Sequence, residues 1–345
     1  MRWKKCVLQI SSKIDDVIKN LNKTQLQIVV IEKNQSLYGT ITDGDIRRGI
    51  LKGLSLKSPI SKIINKKPIT ANITISDKRL KEIMISHGIK SIPIVNNKKR
   101  IVDVKFLIKD SLDDKKKQFV IMAGGKGKRL LPYTKLVPKP LLKVSGKPII
   151  KHIIYKATKY NYKDFIISIN HYGHLIKKTL GNGNSSKCQI KYVNEKKKLG
   201  TAGSLSLMKK ILKGNFIVCN GDVISDINYD DLMEFHKNNS ADATMVIRAY
   251  EVKNPYGEIK IQGSKIIRYL EKPSYHTFIN AGVYVLNSKI LGLLKYNHQC
   301  SMMDLFKKIE DKKFNVLVYP IHEDWIDIGT PENYSMAKKN INVKR

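Results

Sequence analysis

The chain has 345 residues, room for two domains of ordinary size, and a formal charge of +35 from 64 basic and 29 acidic residues. No stretch approaches the roughly 20 consecutive apolar residues that cross a bilayer, the opening MRWKKCVLQISS lacks the apolar run of a signal peptide, and Cys6, Cys188, Cys219 and Cys300 form no CxxC; membrane, zinc-site and disulfide-framework classes are therefore set aside in favour of a reducing cytoplasm. Nine of the basic residues are arginines and the lysines are spread along the whole chain, so the charge reads as a solvated surface that attracts anions generally, not as a nucleic-acid patch with arginine forks and stacking aromatics.

The first predicted elements form a repeat of roughly 60 residues within residues 1–115. In the first copy a helix starts at Ser11-Ser12 and runs through DDVIKNLNK. The apolar strand QIVVIEK (27–33) follows, then a turn at 34–36, the strand LYGTIT (37–42) and a helix from Asp43. The second copy begins at Lys67-Pro68. There Ser76 caps a helix whose Leu80, Ile83 and Met84 share one face, His87-Gly88 closes it, and KSIPIV and RIVDV are strands around a turn at Asn96-Asn97. Helix, strand, turn, strand, helix, given twice, resembles a tandem pair of cystathionine-β-synthase-type (CBS) domains. The segment GTITDGD (39–45) carries that resemblance best. It implies that the Thr42 hydroxyl meets a phosphate and that the Asp45 carboxylate meets the ribose of an adenine nucleotide; a turn entering a helix also offers backbone donors to an anion. The second copy, IVDVKFLIKD, has neither residue in register, so at most one nucleotide site is expected. Dimerisation without a ligand is the competing reading, and the resemblance implies a homo-oligomer in either case.

The polar segment SLDDKKKQ (111–118) reads as a linker. Directly after it, the apolar strand FVIMA (119–123) runs into Gly124-Gly125-Lys126-Gly127-Lys128-Arg129-Leu130. Glycines after a strand let the backbone wrap a phosphate, and the basic residues offset its charge. The spacing matches neither a Walker loop nor a dinucleotide fingerprint, and alone it would be only a phosphate-friendly turn. Pro132, Thr134, Pro138-Lys139-Pro140 and Gly146-Lys147-Pro148 follow; a lysine between two prolines has a restricted backbone that holds its charge in place. The whole of AGGKGKRLLPYTKLVPKPLLKVSGKPII resembles the signature of the nucleotide-diphosphate-sugar pyrophosphorylase family.

The resemblance extends along residues 119–345 and implies a Rossmann-like, mainly parallel sheet with helices on both faces, preceded by the small α+β CBS unit of residues 1–115. It implies that Ala123, Gly124, Gly125, Gly127 and Lys128 bind the nucleotide, that Arg129 clamps phosphates and that Lys139 acts at the reacting centre. Lys128 departs from the family, which usually has a small hydroxyl residue there. Glu195 and then Leu199-Gly200-Thr201-Ala202-Gly203 match the segment that meets base and ribose. Asp222, after the strand 216–219 and in Asn220-Gly221-Asp222, and Asp327, in WIDIGTP, are implied Mg2+ ligands; hard oxygens suit that ion. Nothing in the sequence alone brings the two together. Between them Gly257, Glu271-Lys272-Pro273 and Asn280 match the acceptor-sugar pocket, with Lys272 on the acceptor phosphate.

The implied reaction is attack by a sugar-1-phosphate oxygen on the α-phosphorus of an NTP, with pyrophosphate leaving. Fusion to a CBS pair resembles the guanylyltransferases that make GDP-glucosamine for legionaminic acid, implying GTP and glucosamine 1-phosphate. Mannose 1-phosphate with GTP, or glucose 1-phosphate with UTP or dTTP, are the alternatives. A non-catalytic, nucleotide-sensing protein is the competing class; the retained charges Arg129, Lys139, Asp222, Lys272 and Asp327 speak against it. Neither nucleic acid nor a membrane is expected as a partner.

Overall fold

Residues 2–24, 26–34, 36–107 and 117–340 are described by the computed structural model, and their contacts divide the chain into two units, Met1–Asp114 and Lys115–Arg345. The linker expected at 111–118 falls, up to residue 116, outside the described residues. The first unit contains β1 (Val7–Leu8), α1 (Ile14–Thr24), β2 (Ile28–Lys33), β3 (Ser36–Thr42) and α2 (Asp43–Leu51). β2 and β3 pair antiparallel, and β1 joins β2 in parallel. Helix α1 buries Ile14, Val17 and Ile18, three and four residues apart, against Val29, Ile31 and Ile41 of the sheet.

The same order recurs in β4 (Ala71–Asn72), α3 (Asp77–Ser86), β5 (Ser91–Val95) and β6 (Ile101–Phe106), with the sheet order β4-β5-β6. Ser76 starts α3 by accepting from the Arg79 N–H at 3.3 Å. Leu80 and Met84 of that helix pack on Ile92 and Ile94. A shared cluster of Trp3, Ile28, Val30, Ile101 and Val104 holds the two sheets of this unit together. The continuation of the second copy beyond residue 107 lies outside the described residues.

The second unit begins with β7 (Gln118–Ala123), a small hairpin of β8 (Lys143–Val144) and β9 (Lys147–Pro148), and α4 (Ile149–Thr158). It continues through β10 (Asp164–Ile169), α5 (Gly173–Leu180), β11 (Gln189–Asn194), the single turn α6 (Gly200–Gly203), β12 (Asn215–Asn220), β13 (Val223–Ser225) and α7 (Tyr229–Asn238). Then come β14 (Ala243–Lys253), β15 (Glu258–Gln262), β16 (Lys265–Leu270), β17 (Ser274–Asn287), α8 (Met302–Asp311), β18 (Val316–Ile321), β19 (Trp325–Asp327) and α9 (Pro331–Asn340). Seven strands form one sheet in the order β11-β10-β7-β12-β17-β14-β18. The first four are parallel, β17 runs antiparallel to both its neighbours, and β18 is parallel to β14. The fold is thus α/β, with a mainly parallel, Rossmann-like sheet.

The run FVIMA is apolar throughout because β7 is buried on both faces. Phe119, Ile121 and Ala123 enter one core, with Ile150, Ile153 and Ile154 of α4, while Val120 enters the other, with Leu205, Leu305 and Phe306. Each such side chain contributes about 1.5–3 kcal/mol when fully buried, which fixes where β7 ends and where the loop after it begins. No helix among the described residues is long and apolar enough to cross a membrane.

Candidate active site

The glycine-rich loop leaves β7 at Ala123 and is tied down at its far side. Buried Leu130 closes a single helical turn, and the Thr134 hydroxyl donates to the Gly127 carbonyl at 2.9 Å. Gly124 is required by close approach: a Cβ there would lie 2.6 Å from Oε1 of Glu195. That carboxylate has no room to yield, because Ser168 of β10 donates to Oε1 at 2.7 Å and the Leu199 N–H to Oε2 at 3.2 Å. Burial raises the Glu195 pKa, against the pull of these hydrogen bonds. Lys128 and Arg129 are both exposed.

Asp222 and Asp327 meet. Gly221 extends the ladder beyond β12 by donating to Met122 O at 2.9 Å, which delivers Asp222 beside the end of β7. β13 then pairs antiparallel with β19, setting Val223 opposite Asp327, and the Ile328 N–H donates to the Asp222 carbonyl at 3.0 Å. A pairing three residues long therefore joins carboxylates more than a hundred positions apart in the chain. Lys139, from the proline-locked turn, donates to Asp222 and stands 3.7 Å from Asp327 Oδ1. Its side chain is 11% exposed. Arg129 reaches the same place, since a Cβ on Gly329 would lie 3.4 Å from both its guanidinium and the Asp327 carboxylate.

Burial, followed by the like charge of Asp222, raises the Asp327 pKa; Lys139 and Arg129 pull it back down. Oδ1 of Asp222, Oδ1 of Asp327 and Oδ1 of Asn220 are buried without a hydrogen-bond partner. Two like charges with unsatisfied hard oxygens and one resident ammonium fit a divalent cation such as Mg2+. Asn220 is a further candidate that the sequence reading did not single out; its signal was its place in the Asn-Gly-Asp triplet ending a buried strand.

Gly200, Thr201 and Ala202 lie against the segment preceding α8. Gly200 has φ +79°, and a Cβ there would be 2.6 Å from the Cys300 carbonyl. The Ala202 and Gly203 N–H groups donate to that carbonyl at 3.0 and 3.1 Å, and Thr201 Oγ1 accepts from the Met302 N–H at 2.8 Å. Small residues are needed there for packing before any ligand is considered.

The expected sugar-side residues divide. Asn280 lies close to the aspartates: its Oδ1 accepts from the Gly282 N–H at 2.9 Å, its Nδ2 donates to the Tyr284 hydroxyl at 2.7 Å, and a Cβ on Gly282 would meet Asn220 Nδ2 at 2.8 Å. Gly257 and Glu271 are neighbours, a Cβ on the former being 3.5 Å from Oε2 of the latter. Lys272 stands 4.0 Å from Glu271, both side chains being largely exposed. Among the described residues no hydrogen bond or ion pair joins Glu271 or Lys272 to the aspartates. In the first unit, the Thr42 N–H and hydroxyl both donate to Asp45 Oδ2 at 2.8 Å, and Arg48 donates to Oδ1. Both residues thus already serve the start of α2.

Residues 118–344 match the family model described as Nucleotidyl transferase. A mannose-1-phosphate guanyltransferase of Yarrowia lipolytica is 34% identical over 243 residues, covering 64% of this chain and 65% of that protein. The mannose-1-phosphate guanylyltransferase catalytic subunit beta of Danio rerio is 30% identical over 223 residues, covering 62% of each. The chain therefore spans less than two thirds of the length of these curated relatives. Among solved structures, a putative glucose-1-phosphate thymidylyltransferase from Bacillus anthracis, in complex with a sucrose, superposes with a TM-score of 0.54 at 26% identity over 66% of this chain and 97% of that one. HddC from Yersinia pseudotuberculosis, complexed with GMP-PN, does so with a TM-score of 0.50 at 27% identity over 65% and 98%.

Proposed function

The chain belongs to the Nucleotidyl transferase family, and on that premise we propose that it joins an NTP, GTP by preference, to a sugar 1-phosphate with release of pyrophosphate. The observation that carries this reading is the partly buried group Asp222–Lys139–Asp327 at the mouth of the glycine-rich loop. A phosphate oxygen of the acceptor forms a bond to the α-phosphorus while the bond from that phosphorus to the α,β-bridging oxygen breaks. The leaving pyrophosphate carries away the electron pair. The attacking group is already an anion, so no protein nucleophile or base is required. What the protein supplies is approach and charge neutralisation.

The loop backbone at Gly124 and Gly125 receives the phosphates, Arg129 clamps them and Lys139 follows the charge as it develops. Lys272 receives the acceptor phosphate, and Gly257, Glu271 and Asn280 receive sugar hydroxyls. Asp222 and Asp327 would hold a divalent cation such as Mg2+, which would supply positive charge to the phosphates. Support for a guanine donor comes from relatives named as guanyltransferases and from the neighbour complexed with GMP-PN. Glucosamine 1-phosphate, en route to legionaminic acid, is the acceptor favoured by the CBS-like first unit; the names of the relatives favour mannose 1-phosphate as the alternative. Four NTPs tested against glucosamine, mannose and glucose 1-phosphates for pyrophosphate release decide the pair. Absence of turnover with every sugar phosphate would defeat the assignment.

The first unit is read as a regulatory CBS pair, binding an adenine nucleotide at Thr42 and Asp45. The backbone turn into α2 supports an anion there, and the engaged Asp45 carboxylate must exchange Thr42 and Arg48 for the ribose. Calorimetry of the whole chain with AMP, ATP and GTP tests this; heats unaffected by Asp45→Ala leave the unit as a scaffold.

A further inference from the structure

The first unit carries a cavity of about 580 Å³ whose lining includes Trp3, Lys4, Val7, Glu32, Arg100 and Ile101. That volume falls within the roughly 300–1,000 Å³ of small-molecule sites. The cavity does not lie at Thr42 and Asp45. In the pairing of β2 with β3, Ile28 stands opposite Thr42 and Glu32 opposite Leu37, so the two places sit at opposite ends of β2, about 13 Å apart along an extended chain. Both copies of the repeat contribute to it. Trp3 and Val7 precede α1 and Glu32 lies in β2, whereas Ile101 opens β6 directly after Arg100. The Leu37 N–H donates to the Lys99 carbonyl at 3.1 Å, which joins the same two stretches.

The lining is chemically divided. Trp3 and Ile101, each 7% exposed, form an apolar wall with half-buried Val7. Half-buried Glu32 brings a carboxylate, and exposed Lys4 and Arg100 bring two cations. Among the described residues no hydrogen bond or ion pair engages any of these three charged side chains, and the buried Trp3 indole N–H has no partner either. An acid and two bases that share a cavity without pairing leave one place for donors and another for an anion. We infer that this cavity binds a guanine nucleotide, its base against the apolar wall, its Watson–Crick edge on Glu32 and its phosphates on Lys4 and Arg100. A planar ring suits a wall that includes an indole. Two cations suit a diphosphate, and a guanidinium can take two of its oxygens at once. Glu32 selects the base. Guanine presents two adjacent donors, the ring N–H and the exocyclic amine, which one carboxylate accepts together. Adenine sets its single amine donor beside a ring nitrogen whose lone pair a carboxylate repels. In the proposed reaction the product carries a guanosine diphosphate, so the first unit would register product; that link rests on the proposed donor, and the cavity's chemistry does not.

The chain has two tryptophans, Trp3 and Trp325, so Trp325→Phe leaves Trp3 as the sole indole. GDP titrated into that full-length variant, without divalent cation, is expected to quench its fluorescence saturably. ADP should need about tenfold more for the same quenching. In the same background Glu32→Gln should erase the preference for GDP over ADP. Arg100→Ala should raise the Kd for GDP about tenfold and leave that for guanosine unchanged. Deuterium exchange on wild type is the second measurement and needs no variant: GDP should protect amides of residues 3–8 and 99–102. Quenching that does not saturate, GDP and ADP acting alike, or a folded Glu32→Gln variant that keeps the preference would each overturn the inference. So would protection confined to residues 39–45 or to the second unit. A chain that binds GDP beside Trp3 but turns over no sugar phosphate would sink the proposed function and leave this site standing; turnover without any response at Trp3 would do the reverse.

Discussion

Along β14 and β17 one antiparallel pairing, shifted in register between Met245 and Ile247, passes through two environments. Residues 243–247 and 281–286 are buried, whereas 249–253 and 274–278, paired without interruption from Arg248↔Ile279 to Lys253↔Ser274, are exposed. Intrinsic preference does not separate the halves, since both are rich in β-branched and aromatic residues. Neighbours separate them: β12 flanks the inner half of β17 and β18 that of β14. The inner halves back the bend at Asn280 and Gly282 that lies against Asn220, beside Asp222. The outer halves lead into Glu271 and Lys272. On the proposed reaction, the groups that neutralise charge at one phosphorus thus stand against the core, and the groups that receive the sugar are carried on a part that the core does not hold.

The comparison breaks first at its buried end. Asp222→Asn keeps the shape of the side chain and deletes its charge, so kcat should fall by about 10²–10³-fold. Stability should hold or rise, because Asp327 loses the like charge that helps raise its pKa. Steady-state pyrophosphate release and a thermal melt on the same sample measure both, and an unchanged kcat would remove Asp222 from the chemistry. Lys139→Met sharpens the same end. It deletes the ammonium lying with the two carboxylates, leaving Arg129 as the cation beside them. Electron paramagnetic resonance of free Mn2+, without nucleotide, should then show roughly tenfold tighter binding than wild type. Equal affinity would mean that Lys139 and the cation do not compete for one place.

At the exposed end the effect is smaller and of another kind. If Lys272 receives the acceptor phosphate as proposed, Lys272→Ala removes one charge-assisted contact to it, so KM for the sugar 1-phosphate should rise roughly tenfold, with the KM for NTP held. A loss appearing equally in both KM values would mean that the outer strands hold the fold of the site and not the acceptor.

Much of this could be seen in the residues. FVIMA running into Gly-Gly-Lys-Gly announced a buried strand opening on an anion-binding loop, and Pro138-Lys139-Pro140 announced a held charge. The rest depended on long-range geometry. That Asp222 meets Asp327 rests on a three-residue pairing between β13 and β19, too short to leave a periodic trace. The alternation of EIKIQ and the run KIIRYL mark strands, but nothing local tells a strand that will be flanked from one that will stand clear of the sheet. Thr42 and Asp45 show the opposite problem: the motif is legible, yet the same two side chains satisfy the start of α2, so sequence cannot separate a cap from a nucleotide site.

The smallest effect tests the inner half of β14 without touching the site. His236 in α7 is fully buried; its Nδ1 is 2.9 Å from the Thr244 hydroxyl of β14, and its Nε2 has no partner. Burial pushes its pKa from 6.5 down to about 4; Asp242 opposes the shift and Lys237 adds to it. Above pH 6.5 neither the folded nor the unfolded chain protonates it, and stability is indifferent to pH on its account. As pH falls from 6.5 toward 4 the unfolded chain binds a proton that the folded chain refuses, so stability declines across that window. His236→Gln can keep a hydrogen bond to Thr244 and cannot take up the proton. Its melting temperature should therefore fall less than that of wild type between about pH 7 and about pH 5. Deuterium exchange at pH 5 should show wild type opening at residues 243–247 while the outer halves stay as they were. A parallel pH dependence in the two proteins would mean that other groups link this strand to acid.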